Sequence, residues 1–492
     1  MEAEVSGRKV RAAREAAALG GGPCENRGPF PSEHPVARQR QRLDPDFEIA
    51  IDGLTHDGRG VGRRDGKAVF VAGALPGERV RAKQTAKNRH FDEAAAFEVL
   101  EASVDRVAPR CAHFGVCGGC VLQHLDEEKQ IEAKARVLTE NMARIGHVEP
   151  REWFAPIRDA QWGYRRKGRL SVRWVEKKGK ALVGFREQDP RFVAVLSECH
   201  TVIPAVGQRI PALSALVESL EGRRAIPQIE FIAGDGALDG GVARESGVLA
   251  LVFRHLEALS EGDRATLVDF AKREAVAVFL QPGGIDTVAP LWPQHVDLHF
   301  DLSAEDVGAE QGVRLQFRPL DFIQVNAGLN RQMIARAIER LQLKPGERVL
   351  DLFCGLGNFT LPIARRGFDV VGVEGDAGLV ARARQNAEAN GLPNARFFAA
   401  DLAKDLSGEP WMRDGFDKLL IDPPRAGAAE VLAQLPLKNI PRIVYVSCHP
   451  GSLARDAGFL VKERGYTLLG AGVMDMFPHT AHVESIAVFE RR

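Results

Sequence analysis

The 492-residue chain lacks any apolar run near the roughly 18 residues that a membrane-spanning helix needs. No apolar core follows the basic residues at the N-terminus, so no signal peptide is visible and a cytoplasmic protein is expected. Net charge is absent too: 66 Lys and Arg balance 66 Asp and Glu, and the totals alone do not advertise a nucleic-acid partner. Seven cysteines, an odd number in a long chain, do not make a secreted disulfide framework. No internal repeat is present. What remains is ordinary for a soluble protein, 45% hydrophobic and 27% charged. The length allows roughly two to four domains.

The pattern along the chain predicts a multidomain protein of β and α/β modules. Residues 1–43 are rich in Arg, Ala, Gly, Pro and Glu without apolar periodicity, and read as a disordered tail carrying an incidental Cys24. Residues 44–103 read as five short strands between Gly-rich turns, a small barrel of the oligonucleotide-binding type. Arg59, Arg63, Arg64, Arg81, Lys83, Lys87 and Arg89 would decorate it. Residues 104–310 read as a central, β-rich domain with a helix over about 126–145. Residues 311–492 alternate strand and helix, as in a doubly wound Rossmann-like sheet.

Charge is local rather than global. Between Trp162 and Lys180 stand Arg165, Arg166, Lys167, Arg169, Arg173, Lys177, Lys178 and Lys180 against the single acid Glu176. Trp162, Tyr164 and Trp174 are interleaved, which favours a nucleic-acid surface over a merely solvated face.

The segment V-L-D-L-F-C-G-L-G-N-F-T, 349–360, is a strand, a Gly-rich turn and a helix start. Gly355 and Gly357 permit a tight turn and close approach of a ligand to the backbone. The third glycine of the dinucleotide fingerprint is missing, since Phe359 and Thr360 occupy that stretch. Asp351, Glu374, Asp401 and Asp422 fall at four successive strand ends. That favours S-adenosylmethionine over a nicotinamide dinucleotide; singly, each acid could equally be a helix cap. Cys448 follows another apolar run, in V-S-C-H-P. A methyl donor needs a nucleophilic cysteine beside it when the acceptor is a carbon that must first be activated. C5 of uracil is such a carbon: a thiolate adding at C6 makes C5 nucleophilic, and a base must later remove the C5 proton. The thiol pKa is expected to be lowered by its surroundings. Glu484 is the expected base, with His479 and His482 behind it. A buried structural thiol is the plainer alternative for Cys448.

C-A-H-F-G-V-C-G-G-C places Cys111, Cys117 and Cys120 at C-x5-C-x2-C spacing, and Cys199 supplies a fourth thiol. Four thiolates suit zinc or a [4Fe–4S] cluster, and the three-plus-one pattern leans to iron–sulfur. The C-x3-C-x2-C pattern of radical chemistry is absent. Cys354 is expected to be neither ligand nor nucleophile.

These motifs, with D-F-I-Q-V-N (321–326), I-D-P-P-R (421–425), V-S-C-H-P-G-S-L-A-R-D (446–456) and H-V-E-S (482–485), resemble the RNA (uracil-5-)-methyltransferase family over about residues 44–492. The resemblance implies a TRAM barrel, a central iron–sulfur domain and a class I methyltransferase domain. It implies S-adenosylmethionine contacts from Gln324, Phe353, Asn358, Glu374, Asp401 and Asp422, beside the turn glycines. It implies Cys448 as nucleophile, Glu484 as base, and Cys111, Cys117, Cys120 and Cys199 around one [4Fe–4S] cluster. His449 stands where the family usually has Asn. The branch with both barrel and cluster methylates uracil 1939 of 23S ribosomal RNA. Another 23S position or transfer RNA is the alternative target. The expected partner is ribosomal RNA, with no membrane, and the expected state is a monomer. Two other readings compete. Amino methylation is suggested by D-P-P-R, but Arg425 replaces the aromatic of such loops. A non-catalytic RNA-binding iron–sulfur protein is opposed by the intact Gly355, Gly357, Glu374, Cys448 and Glu484.

Overall fold

The computed structural model describes residues 44–238 and 247–491. The tail assigned to 1–43, with Cys24, lies outside the described residues. Among the described residues no helix is long and apolar enough to cross a membrane.

Residues 47–101 form one sheet of six strands, in the order Phe47–Ala50, Arg79–Lys87, Phe91–Glu101, Lys67–Ala72, Gly60–Arg64, Gly53–Leu54. The sequence predicts five; the sixth, Gly53–Leu54, is two residues long and too short to show an alternating pattern. The R-D-G-K turn is a tight hairpin with Asp65 and Gly66 both left-handed, at φ 50° and 80°. Ile49, Ile51, Val69, Val71, Val80 and Ala82 fill the interior. Several of the expected surface cations are matched on the same surface. Arg81 meets Glu48 and Glu98, Arg59 meets Asp57 and Glu93, and Arg64 and Lys87 meet Asp44. Arg63, Lys83 and Arg89 are exposed.

A second six-stranded sheet runs Ala289–Trp292, Ala277–Gln281, Val248–Arg254, Gln228–Gly234, Lys167–Val175, Lys180–Gly184. Its apolar strands pack beneath helices Ile210–Ser219 and Glu261–Glu274 through Leu213, Val217, Leu267 and Phe270.

The third sheet has eight strands. From one edge they are Ala395–Ala399, Asp369–Glu374, Arg348–Leu352, Lys418–Ile421, Arg442–Ser447, Glu484–Glu490, Thr467–Met474 and Glu152–Trp153. The first five are parallel, and Glu484–Glu490 runs antiparallel to both of its neighbours. Period-two alternation feeds two cores. Val349, Val370, Val444 and Val446 face helix Ala327–Leu341. Leu350, Val371, Ile443 and Tyr445 face helix Pro450–Lys462. Helix Glu127–Asn141, capped by Asp126, joins this second layer through Ile131 and Leu138. The strand Glu152–Trp153 extends the same sheet. Chain segments far upstream of the α/β region therefore reach its working edge.

Candidate active site

The carboxyl edge of the third sheet gathers the motif residues. Strand Arg348–Leu352 breaks into Phe353, Gly355 and Gly357, all with positive φ (63°, 56° and 99°). A Cβ on Gly357 would sit 2.9 Å from Leu361 Cγ, so glycine is what lets the turn close on the following helix. Glu374 Oε2 accepts from Gly355 N at 3.1 Å, which ties the second strand end to the turn. Asp351 is fully buried and accepts from Thr360 Oγ1 at 2.5 Å; burial pushes its carboxyl up to about 7. Asn358 and Asn330 exchange amide hydrogen bonds at 3.0 and 3.1 Å. Asp401 is exposed at the same edge and paired with Lys404. Gln324 lies in the segment before helix Ala327–Leu341, its carbonyl accepting from Arg166 Nε at 2.9 Å. Cys354 is buried in the core, its thiol raised by burial, in line with neither a ligand nor a nucleophile.

Strand register unites the reactive groups. Ser447 pairs with Ser485, so the next residue on one strand, Cys448, and the preceding residue on the other, Glu484, emerge side by side. Asp422 follows Ile421, which pairs with Tyr445 on the Cys448 strand. Burial pushes the Cys448 thiol up to about 11, and Glu484 and Asp422 add to this against Arg425. The expected lowering is therefore reversed. Two carboxylates and partial burial outweigh one guanidinium. Burial also pushes Glu484 up to about 8, with Asp422 adding and Arg425 and Lys134 opposing. Asp422 itself is pushed to about 7 by burial. Three acids with raised pKa values beside one cationic arm make a proton-exchanging site rather than a preformed thiolate.

The two histidines have other work. His479 is buried and stacked on Trp162 with ring centroids 3.8 Å apart, and burial pushes it down to about 4. Arg425 Nη2 donates to His482 Nδ1 at 3.1 Å, and burial with the nearby cations holds His482 below the usual range. His449 caps helix Pro450–Lys462, Nδ1 accepting from Ser452 N at 3.1 Å, a role open to the Asn usual there.

Cys111, Cys117, Cys120 and Cys199 line one cavity of about 200 Å³, with His113, Tyr164 and Arg165 among its walls. The thiols of Cys117 and Cys120 are pushed up to about 11 and 12 by burial, and each is raised further by Cys199 and Cys111. Among the described residues no three His, Cys, Asp or Glu side chains converge on a single metal ion.

The basic segment is divided. Arg169 is exposed and paired with Glu230. Arg165 is partly exposed, between the cysteine cavity and the Phe477 ring, 5.9 Å from its centroid. Arg166 is buried over Phe300, and Lys167 Nζ donates to Asp321 O. Burial pushes Lys167 down to about 8. The interleaved aromatics also face inward: Tyr164 OH donates to Pro478 O at 3.1 Å, and Trp174 lies under Arg223. Residues the motifs did not single out include Lys134, Asp475 and Asn330. For Lys134 a signal existed: it shares a helix face with the buried Ile131 and Leu138.

A profile described as tRNA (Uracil-5-)-methyltransferase matches residues 294–492, and a TRAM domain profile matches 46–95. Among solved structures, the chain is similar to the Pyrococcus abyssi tRNA (uracil-54, C5)-methyltransferase in complex with S-adenosyl-L-homocysteine. The TM-score is 0.66 and the identity 22%, over 90% of this chain and 100% of that one, which establishes the shared fold. A 23S rRNA (uracil(1939)-C(5))-methyltransferase from Xanthomonas axonopodis pv. citri is 64% identical over 461 residues, 93% of this chain and 100% of the relative. One from Stenotrophomonas maltophilia is 63% identical over the same shares. At that identity along almost its whole length, the chain belongs to the 23S rRNA (uracil(1939)-C(5))-methyltransferase family.

Proposed function

We propose that the protein transfers a methyl group from S-adenosylmethionine to C5 of a uridine in 23S ribosomal RNA, at position 1939, the site its relatives are named for. The observation that carries the chemistry is the strand register that sets Cys448 beside Glu484 at the edge where the 353–358 turn opens. The Cys448 thiol loses its proton to solvent, and the thiolate sulfur bonds to C6. The electron pair of the C5=C6 bond shifts through C5 to O4, and C5 then takes the methyl from the sulfonium. Glu484 carboxylate removes the C5 proton, that electron pair restores C5=C6, and the thiolate departs. A thiol raised by burial is little ionised near neutral pH, so thiol addition depends on Arg425 opposing the two acids.

S-adenosylmethionine supplies the electrophilic methyl. Glu374, already at the turn amide, is suited to the ribose, and Asp401 to the adenine edge. Gln324, Phe353, Asn358 and Asp422 complete the contacts. The target base must leave its stack, at a cost of about a few kcal/mol. The TRAM barrel with Arg165 and Arg169 is suited to hold the surrounding RNA, whereas Arg166 and Lys167 position the 321–324 segment.

The four-cysteine cavity suits one [4Fe–4S] cluster. Four thiols line a single space, and their three-plus-one spacing supports a cluster over a zinc site built on two C-x2-C arms. Bound there, a cluster would supply a covalent cross-link between the 111–120 loop and Cys199.

The test is to incubate the purified protein with S-adenosylmethionine carrying a labelled methyl and 23S ribosomal RNA lacking 5-methyluridine. Label at C5 of one uridine is expected. Label on an exocyclic nitrogen, or confined to transfer RNA, would overturn the assignment.

A further inference from the structure

Helix Glu127–Asn141 lies outside the residues matched by either family profile, yet it sends one charged side chain into the catalytic edge. Lys134 is 2% exposed and its partner Asp475 is 0% exposed. The ammonium donates to Asp475 Oδ1 at 2.6 Å and to Phe477 O at 2.9 Å. Gln161 Nε2 donates to Asp475 Oδ2 at 3.3 Å, and Asp475 N donates to Ile157 O at 2.9 Å, so both the carboxylate and its backbone are fixed. Asp475 directly follows Met474, and Met474 pairs with Glu484 in the sheet. The clamp therefore grips the start of the turn that leaves Met474 and returns as Glu484. Besides this tie, the Lys134 ammonium opposes the upward push on Glu484 as Arg425 does, while burial in turn pushes Lys134 down against Asp475 and Glu484.

We propose that Lys134 is a positioning residue for the base Glu484: its buried ammonium fixes Asp475 and the Phe477 carbonyl, and so sets the place of the carboxylate and the field around it. This rests on the reading of Glu484 as the base that resolves the Cys448 adduct. The groups acting on Glu484 are Asp422 and Arg425 from the strand end and loop after Ile421, Cys448 from the adjacent strand and Lys134 from the helix, with Asp475 paired to Lys134 and His482 hydrogen-bonded to Arg425. Asp422 disfavours the ionised base, while Lys134 and Arg425 favour it. Without the Lys134 ammonium, the base must titrate at higher pH. Attack by Cys448 and methyl transfer, which do not use the ionised base, must be spared relative to adduct resolution.

The test compares Lys134→Met with wild type, since methionine keeps an apolar stem and removes the charge. S-adenosylmethionine affinity and covalent trapping on 5-fluorouridine RNA are expected within about twofold of wild type. Resolution of the adduct on uridine RNA is expected to slow about tenfold near pH 7, its pH limb displaced upward by about one unit, since one unit is a tenfold change in ionisation. If the single variant does not fold, Lys134→Met with Asp475→Asn removes both buried charges, and because their effects on Glu484 partly offset, a smaller upward displacement of the limb is expected. A wild-type limb in either folded variant, or equal losses in cofactor binding, trapping and resolution, would overturn the assignment. Failure of the wild type itself to trap 5-fluorouridine RNA would instead strike the covalent reading on which it rests.

Discussion

The lifetime of the methylated protein–RNA adduct should be set by the ionisation of Glu484. Burial and Asp422 push this carboxyl up to about 8 against the opposing charges of Arg425 and Lys134. The sign follows from the chemistry. Only the carboxylate can take the C5 proton, so resolution must rise with pH and level off above the pKa. With a midpoint of about 8, roughly 1% of the base is ionised at pH 6, about 9% at pH 7 and about half at pH 8. Resolution should therefore quicken about fiftyfold between pH 6 and pH 8. Cys448 is tied up as a thioether in this species, so its own titration drops out of the step. RNA covering the site can only add to burial, which moves the midpoint upward. In the assay, the adduct forms on uridine RNA at low pH, the pH is jumped, and samples quenched in denaturant are scored for covalent complex. Glu484→Gln should leave the complex standing at every pH. A decay rate flat from pH 6 to pH 9, or a Gln variant that resolves normally, would refute the reasoning.

Three further outcomes are expected. Anaerobically purified protein should be brown with about four irons per chain, and Cys117→Ser should bleach it; a colourless protein holding one tightly bound zinc would contradict the cluster. Glu374→Ala should weaken S-adenosylmethionine binding by about 2 kcal/mol, the scale of a hydrogen bond to a charged group, while Cys448→Ala should bind it normally; calorimetry separates the two. Arg169→Gln should lower ribosomal RNA affinity and flatten its salt dependence, with only a small loss of melting temperature from the lost surface pair with Glu230. Arg166→Glu should instead destabilise the fold by about 3–5 kcal/mol, because the new charge would be buried without a partner.

Much of this architecture was legible in local pattern. Alternating apolar runs ending in an acid marked the strands carrying Asp351, Glu374, Asp401 and Asp422, and the R-D-G-K turn announced its hairpin. That Cys199 lines the same cavity as the 111–120 cysteines was visible in the sequence only as a fourth thiol, because 78 residues lie between Cys120 and Cys199. What escaped depends on long-range packing. Periodicity finds helix Glu127–Asn141 but cannot say that it covers the third sheet and delivers Lys134 to Asp475. A run of basic residues looks like one surface, but Arg166, just before strand Lys167–Val175, is buried against the Gln324 carbonyl and the Phe300 ring, while Arg169 on that strand is exposed. The upward push on Cys448 comes first from burial and then from two acids on neighbouring strand ends, neither of which its own neighbours in sequence disclose.

The most direct test of the central claim mixes wild-type protein, S-adenosylmethionine and a 23S ribosomal RNA fragment whose target uridine is replaced by 5-fluorouridine. Fluorine on C5 cannot leave as a proton does, so the account predicts a denaturant-resistant complex with the methyl already on the base. Peptide mapping should place the link at Cys448, and Cys448→Ala should abolish it. Methylation without any covalent complex, or a link at another residue, would contradict the account.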